Sequence, residues 1–459
     1  MQDSSRSNDP EPAAPEITLG RHARTFVPAR VLEFAQVFIR TEATGGLVLL
    51  AAAVAALLWV NSPWGDSYED LWHTVITIDL GIVSVVQDLR HMVNDGLMTV
   101  FFFVVGLEIK RELVHGELAS PRRAVLPAAA ALGGMLLPAL IYTAFNAGGQ
   151  GERGWGIPMA TDIAFAVGAM ALAGTRVPFG LKIFVLALAI VDDIGAILVI
   201  AVFYTSGLAL DWLGLAGLFL VAIVLMNNRG VRNVNVYVVA GALMWLAMLK
   251  SGVHPTLTGV VLGLLTPAQP FYNVSTFAGV ARSLIDRYQG ALDGGSKDDQ
   301  ESLLEQLEDV TTGSQTPLES LERSLHVWVS YGIVPVFALA NAGVELSYES
   351  VDAALSSAVS QGIVFGLLVG KPIGIILFTW AAVRLGVASL PAGTSWVHIL
   401  GGSLVCGIGF TVSLFITGLA LEDDSLVAQA KIAILAASVA AGGIGYLALR
   451  WSARLARTA

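Results

Sequence analysis

Charge is scarce in this chain. Only 14% of its 459 residues are Asp, Glu, Lys or Arg, where an ordinary soluble domain carries about 25%. That shortage excludes a conventional water-soluble fold. The 55% hydrophobic content and the mean hydropathy of +0.70 point to a membrane protein instead. Cysteine is scarcer still: Cys406 stands alone in an apolar segment, which excludes a disulfide framework and leaves the redox compartment unreadable from cysteine usage. Metal-ligand spacings and nucleophile motifs are missing, and Cys406 has no deep histidine beside it, so enzyme chemistry is set aside. The first thirty residues hold no apolar run, only Asp3, Glu11, Glu16, Arg21, Arg24 and Arg30 among Pro10, Pro12 and Pro15. This is no signal peptide, and residues 1–30 are expected to form a disordered cytoplasmic tail. The net charge of −10 lies largely in one loop and says little about partners.

What is present is apolar sequence in blocks. Twelve can be drawn, at about 46–60, 92–107, 124–145, 157–173, 179–204, 209–226, 234–249, 253–267, 327–344, 359–381, 398–420 and 428–449. A bilayer crossing needs about 20 residues, so the shorter blocks belong to broken or tilted segments. The fold class expected is an all-α polytopic membrane protein with about twelve transmembrane helices. Basic residues set the orientation: with the N-terminus inside, 21 of the 26 Lys and Arg fall on cytoplasmic segments. Arg90, Arg153, Lys250 and Lys431 are left outside and Lys371 within a span. The positive-inside rule then puts both termini in the cytoplasm and supports an even helix count.

Two connections stand out. Trp72 to Val86 alternates in part, and Asp79 to Gly81 is suited to turning a small outer hairpin. The long connection from Ala268 to His326 holds ten acids against four bases between Arg282 and Arg323. A short amphipathic helix through Leu303, Leu304 and Leu307 is expected within Ser302 to Val310, and the rest of 281–322 reads as a solvated, flexible acidic insertion. The domain plan is thus a tail (1–30), a transporter domain (31–450) carrying that insertion, and a C-terminal tail (451–459).

Asp192 and Asp193 sit side by side within the apolar run from Phe179 to Tyr204. One charge at the bilayer centre costs roughly 2.5–3.5 kcal/mol on insertion scales, and intramembrane acids mark ion or proton paths by default. Thr161-Asp162 follows Gly156 and Pro158, which weaken helix just before the acid. Irregular backbone at membrane depth is tolerated where it lines a cavity or is buried in protein. A second break is expected in the glycine-rich stretch Gly401 to Thr411. Each break falls in the middle helix of a three-helix set, the third to fifth and the tenth to twelfth, which is the pattern of inverted repeats with a transport site between them. Lys371, deep in its span, needs a carboxylate, and Asp162, Asp192 and Asp193 are the deep candidates. Neighbouring helix residues diverge by about 100°, so Asp192 can answer Lys371 while Asp193 faces an ion path. Toward the cytoplasm, Glu108, Lys110, Arg111 and Glu112 end one segment while Glu322, Arg323 and His326 open another. His254 by default is a plain interfacial histidine.

Taken together these residues resemble the NhaA family of sodium/proton antiporters. The matching motifs are Ala160-Thr161-Asp162-Ile163-Ala164-Phe165-Ala166, Val191-Asp192-Asp193-Ile194-Gly195-Ala196, Lys250-Ser251-Gly252-Val253-His254, Phe337 to Val344, Gly370-Lys371-Pro372 and Cys406-Gly407-Ile408-Gly409-Phe410-Thr411. They run in family order over nearly the whole chain. The resemblance implies a twelve-helix, inverted-repeat exchanger of the bacterial inner membrane whose unwound helices cross near midplane. It implies that Asp192 and Asp193, with Thr161, hold a transient Na+ or Li+, and that Asp162 and Lys371 complete the ion- and proton-carrying group. Glu108, Arg111, Glu112, His254, Glu322 and His326 become the pH-sensing region. A homodimer joined through the outer hairpin around 72–86 is also implied, with no cofactor and no nucleic acid. The expected activity is electrogenic, pH-regulated export of sodium against protons by competition at the Asp pair. An ion-coupled organic-anion symporter of similar fold is the alternative, disfavoured because no deep basic residue beyond Lys371 is available to anchor an organic anion. The long N-terminal tail and the acidic insertion depart from the family pattern.

Overall fold

The structure is a computed structural model. It describes residues 29–455 apart from 80–83, 175–176, 206, 232–233, 271–273 and 293–295. The 1–28 part of the N-terminal tail and most of the Asp79–Gly81 turn therefore lie outside the described residues.

The apolar blocks all fall on helices. Helix α1 (Ala29–Val60) turns through α2 (Gly65–Trp72) into a hairpin of β1 (Val75–Asp79) and β2 (Ser84–Asp88). The strands are antiparallel, with Val75 opposite Asp88 and Asp79 opposite Ser84. Then come α3 (Leu89–Val114) and α4 (Pro121–Asn146), a 3-10 segment (Glu152–Met159), α5 (Ile163–Leu172), α6 (Phe179–Phe203), α7 (Leu210–Asn228), α8 (Val234–Ser251) and α9 (Thr256–Leu265). The connection that follows holds α10 (Val274–Leu292) and α11 (Lys297–Gly313). The chain closes with α12 (Pro317–Asn341), α13 (Tyr348–Ser356), α14 (Ala358–Arg384), α15 (Trp396–Val405), α16 (Phe410–Ala420) and α17 (Asp424–Leu455). Among the described residues nine helices are long and apolar enough to cross a membrane, or eleven counting two bent pairs, and α9 is a further short apolar helix.

Two helix groups meet along a seam. One is built on α1, α3, α9 and α12, with α7 and α8 packed at its side; the other is built on α4, α5, α6 and α14 to α17. Small residues set the closest approaches, as expected where lipid supplies no hydrophobic drive between helices. A Cβ on Gly133 would run into the backbone of Gly374, and one on Gly134 would lie 2.9 Å from Ile375 Cγ1. The close contact of α4 and α14 that these glycines permit is what seals Lys371, one turn before Gly374, away from lipid. The chain direction puts the start of α1, the ends of α3 and α17, and α10–α11 at one end of the bundle, called here the basic end; the β-hairpin marks the other.

The acidic insertion differs from its expected form. It is a helical hairpin, in which Leu284 of α10 and Leu303 and Val310 of α11 form a small core with Phe277, Val280, Tyr288 and Leu307 against it. Charge content concealed α10, whose apolar residues recur at helical spacing and are covered only when a second helix lies on them. Helix α11 is longer than the expected Ser302–Val310, and Leu304, placed on its apolar face by sequence, is 49% exposed. Helix α17 also continues past 450 to Leu455, into the stretch read as a tail.

Candidate functional site

Both expected breaks are present, and they touch. The first leaves Ala160, Thr161 and Asp162 outside helix between the 3-10 segment and α5; the second leaves Cys406 to Gly409 between α15 and α16. The Asp162 N–H donates to the Ile408 carbonyl at 2.7 Å, so one unwound strand satisfies the other. Ser413 Oγ donates to the Ile157 carbonyl at 2.7 Å and Ser438 Oγ accepts from the Phe410 N–H at 3.3 Å. These bonds answer the demand that buried backbone groups be paired.

Charge follows the helix ends. Asp162 caps α5, accepting from the Phe165 N–H at 3.1 Å, and its second oxygen accepts from the Thr411 N–H at 3.0 Å and the Thr411 hydroxyl at 2.5 Å. One carboxylate thus serves two helix N-termini, where partial positive charge accumulates. Lys371 Nζ donates to the carbonyl of Met159, the last residue of the 3-10 segment. Its ammonium therefore meets the opposite, negative kind of end.

Lys371 and Asp192 are both fully buried and form an ion pair, 3.0 Å from Nζ to Oδ2. Thr161 Oγ lies 2.8 Å from the same carboxylate oxygen and 3.1 Å from the Cys406 carbonyl, sharing its single proton between them. Lys371 is delivered by a wide π turn (Gly366–Gly370), and a second π turn (Val329–Ile333) follows His326. Pro372 and Pro335 each stand at the second residue past a turn; lacking an N–H, each cannot bond the carbonyl four residues back, which lies within the widened turn.

Asp193 faces elsewhere. It lines a cavity of about 60 Å³ with Glu108, Thr161, Asp162, His326 and Thr411, a space comparable to about two water molecules. The cavity lies at the seam on the basic side of the crossing. Beyond it, Arg111 bridges Glu322 and lies 3.3 Å from Glu112, while His326 Nδ1 pairs with Ser330 Oγ at 3.0 Å. Glu108, Arg111, Glu322 and His326 are all buried. They form no loose solvated helix end.

His254 is not with that cluster. It sits at the hairpin end of the bundle, with Nε2 3.6 Å from Asp95 Oδ1 and Nδ1 2.7 Å from Thr256 Oγ1. Asp95 in turn accepts from Gln87 of β2 at 2.8 Å. Sequence reading also passed over Thr411, although its place in the first turn after a glycine-rich break was a usable sign. The carbonyls of Met159, Cys406 and Ile408 carried no sign at all, because a side chain does not reveal a freed backbone oxygen.

Comparison with known proteins identifies the family. A family described as Na+/H+ antiporter 1 matches residues 36–449. The chain is 48% identical to the Na(+)/H(+) antiporter NhaA 2 of Sorangium cellulosum, covering 93% of each protein. It is 47% identical to the Na(+)/H(+) antiporter NhaA of Rhodopirellula baltica over 90% of this chain and 93% of that one, and equally to that of Oleidesulfovibrio alaskensis over 90% and 92%.

Proposed function

This chain belongs to the NhaA-type Na+/H+ antiporter family, and from that premise we propose that it exports sodium from the bacterial cytoplasm in exchange for protons, with Asp193 as the residue that carries either ion. The observation that supports this most directly is the division of labour on α6: Asp192 is consumed by Lys371 and Thr161, while Asp193 ends a cavity. Glu108 and Asp162 line the same cavity as Asp193, and Asp192 is its chain neighbour, so carboxylates gather around the point where a cation would be held.

Sodium is a hard cation that takes oxygen ligands. The side-chain oxygens lining the cavity include those of Asp193, Thr161, Thr411, Asp162 and Glu108. Arrival of sodium displaces the proton, and arrival of protons after reorientation displaces sodium. Lithium, of the same charge and hardness, competes for the same site. The Lys371–Asp192 pair and the Asp162 double cap keep the two broken helices joined as the site turns from one side to the other. More protons than sodium ions move per cycle, making the exchange electrogenic. The Glu108–Arg111–Glu112–Glu322–His326 cluster sets its pH response at the cytoplasmic mouth, with His254 acting separately at the far end. The protein lies in the inner membrane with both termini inside, and copies pair through the β-hairpin.

The test uses everted vesicles with a ΔpH dye. Sodium added to acid-loaded vesicles of the parent protein dequenches the dye, and Asp193→Asn abolishes the response. Retained sodium-dependent proton movement in Asp193→Asn would sink the assignment.

A further inference from the structure

Lys431 has no part in the mechanism above, yet it is a half-buried lysine. It projects from α17, in the group that carries the ion site, and donates to the Gly343 carbonyl at 3.5 Å. Gly343 lies just past the end of α12, in the other group. This hydrogen bond crosses the seam at the hairpin end.

The end of α12 is otherwise held by its own group. Tyr68 Oη donates to the carbonyls of Leu339 at 2.8 Å and Ala340 at 3.0 Å, and Asn61 Nδ2 donates to that of Val344 at 3.0 Å. Gly343 has no room for a side chain, because a Cβ there would enter the Tyr68 ring. The carbonyls at a helix C-terminus attract cations, and a lysine ammonium is a natural cap for them. Tyr68 already serves the last-turn carbonyls, and Lys431 reaches from across the seam to the Gly343 carbonyl just beyond the helix end. At the same level Phe415 of α16 closes the path by packing, its ring 5.3 Å from that of Phe102, 6.2 Å from that of Phe337 and 5.2 Å from that of His254. Phe415 is one turn beyond Thr411 toward the hairpin end, so it separates the cavity from that side.

An exchanger must present one site to both sides in turn, so whatever closes the hairpin end here has to release in each cycle. The aromatic contact is non-directional and slides. The Lys431 bond is directional, reaches the outer limit of hydrogen-bond length, and ends on a backbone oxygen that no mutation of α12 removes. We propose that Lys431 is a positioning residue of the transport cycle, a latch that holds the hairpin-end seam shut while the ion site faces the basic end. The inference rests on the exchange reading above.

Side-specific labelling tests it. Val412, which lines the cavity, is replaced by cysteine in a Cys406→Ser background, in vesicles of defined orientation. A membrane-impermeant cationic methanethiosulfonate is added from one side at a time. With Lys431→Met the labelling rate from the hairpin side rises about five- to ten-fold, the amount expected when one hydrogen bond of ordinary net strength is lost. The rate from the basic side does not rise. Lys431→Gln, which keeps a donor, falls between, and Lys431→Arg stays near the parent. An unchanged hairpin-side rate in Lys431→Met overturns the latch, and so does an equal rise from both sides, which would be general loosening. If Lys431→Met fails to accumulate, Lys431→Gln is read by the same two criteria. Sodium-dependent proton movement is followed in vesicles of the same orientation bearing the native protein. Its absence there sinks the exchange reading, whereas its presence with unaltered labelling sinks only the latch.

Discussion

Asp192 and Asp193 are consecutive residues on one helix, and they occupy different worlds. On the Asp192 side the space is filled by Lys371, Thr161 and the Cys406 carbonyl, with no accessible surface left. On the Asp193 side there is a cavity shared with Glu108, Thr411 and His326. The contrast teaches that a pair of identical acids can be split between holding the fold and doing the transport by the 100° step of an α-helix alone. What decides the role of each is its neighbour on another helix.

The difference can be broken from the structural side first. Lys371→Met leaves Asp192 buried without its counter-charge, a loss of about 3–5 kcal/mol, read as a fall in the melting temperature of the purified protein. Lys371→Met combined with Asp192→Asn recovers much of that fall, whereas Asp193→Asn alone moves the melting point little. A large drop in Asp193→Asn would erase the distinction between the two acids. Next in size, Thr411→Val removes the hydroxyl that Asp162 accepts from, and about 1–3 kcal/mol is expected, with Thr411→Ser close to the parent in the same melting assay.

Away from the site, Asp88 caps the start of α3 through the His91 N–H at 2.7 Å, and Asp88→Ala is expected to lose about 1 kcal/mol. Burial pushes the Asp88 carboxyl up, but hydrogen bonds from the His91 N–H and ring, the His91 charge and His73 outweigh it and hold the group below its usual value. The advantage over Asp88→Ala is therefore present near neutral pH and fades only as pH falls below the ordinary carboxylate value of about 3.9. Melting curves across pH check the sign. Smallest of all, replacing residues 274–313 with a short Gly/Ser linker changes the stability of the bundle by no more than about 0.5 kcal/mol, read in the same melting assay, and leaves exchange at saturating sodium intact, because the α10–α11 core is separate from that of the bundle. Loss of exchange in that deletion would make the hairpin part of the machinery.

Much of this architecture was legible in the sequence because the membrane makes polar residues conspicuous. Asp192, Asp193, Asp162 and Lys371 are readable as a group from the cost of burying each, and Gly156, Pro158 and the four glycines between Gly401 and Gly409 announced the breaks. The insertion was harder. Outside the bilayer, Phe277, Val280 and Leu284 look like scattered apolar residues in a charged loop until α11 supplies their cover. His254 lies beside Asp95 and Thr256, apart from the cluster around Arg111, and a titratable ring alone says nothing about which end of a bundle holds it. Lys431 read as an outer residue, and its burial depends on how α17 meets the end of α12, a contact of residues far apart in the chain.

The crossing of the two breaks has a consequence in time. Its bonds join residues 245 and 249 positions apart, Thr161 to Cys406 and Asp162 to Thr411. At a synthesis rate of about 5–20 residues per second, roughly 12–50 s separate the emergence of the partners. For most of that interval, from residue 193 to residue 370, Asp162, Asp192 and Asp193 are already made, but Lys371 and the second break are not. The newborn chain therefore has to shelter three acids, at the insertion machinery or in protonated form, before the structure that stabilises them exists. A premature stop between Asp193 and Thr411 leaves a membrane segment whose most expensive residues never receive their full set of partners, and such a fragment is marked for removal by its own chemistry.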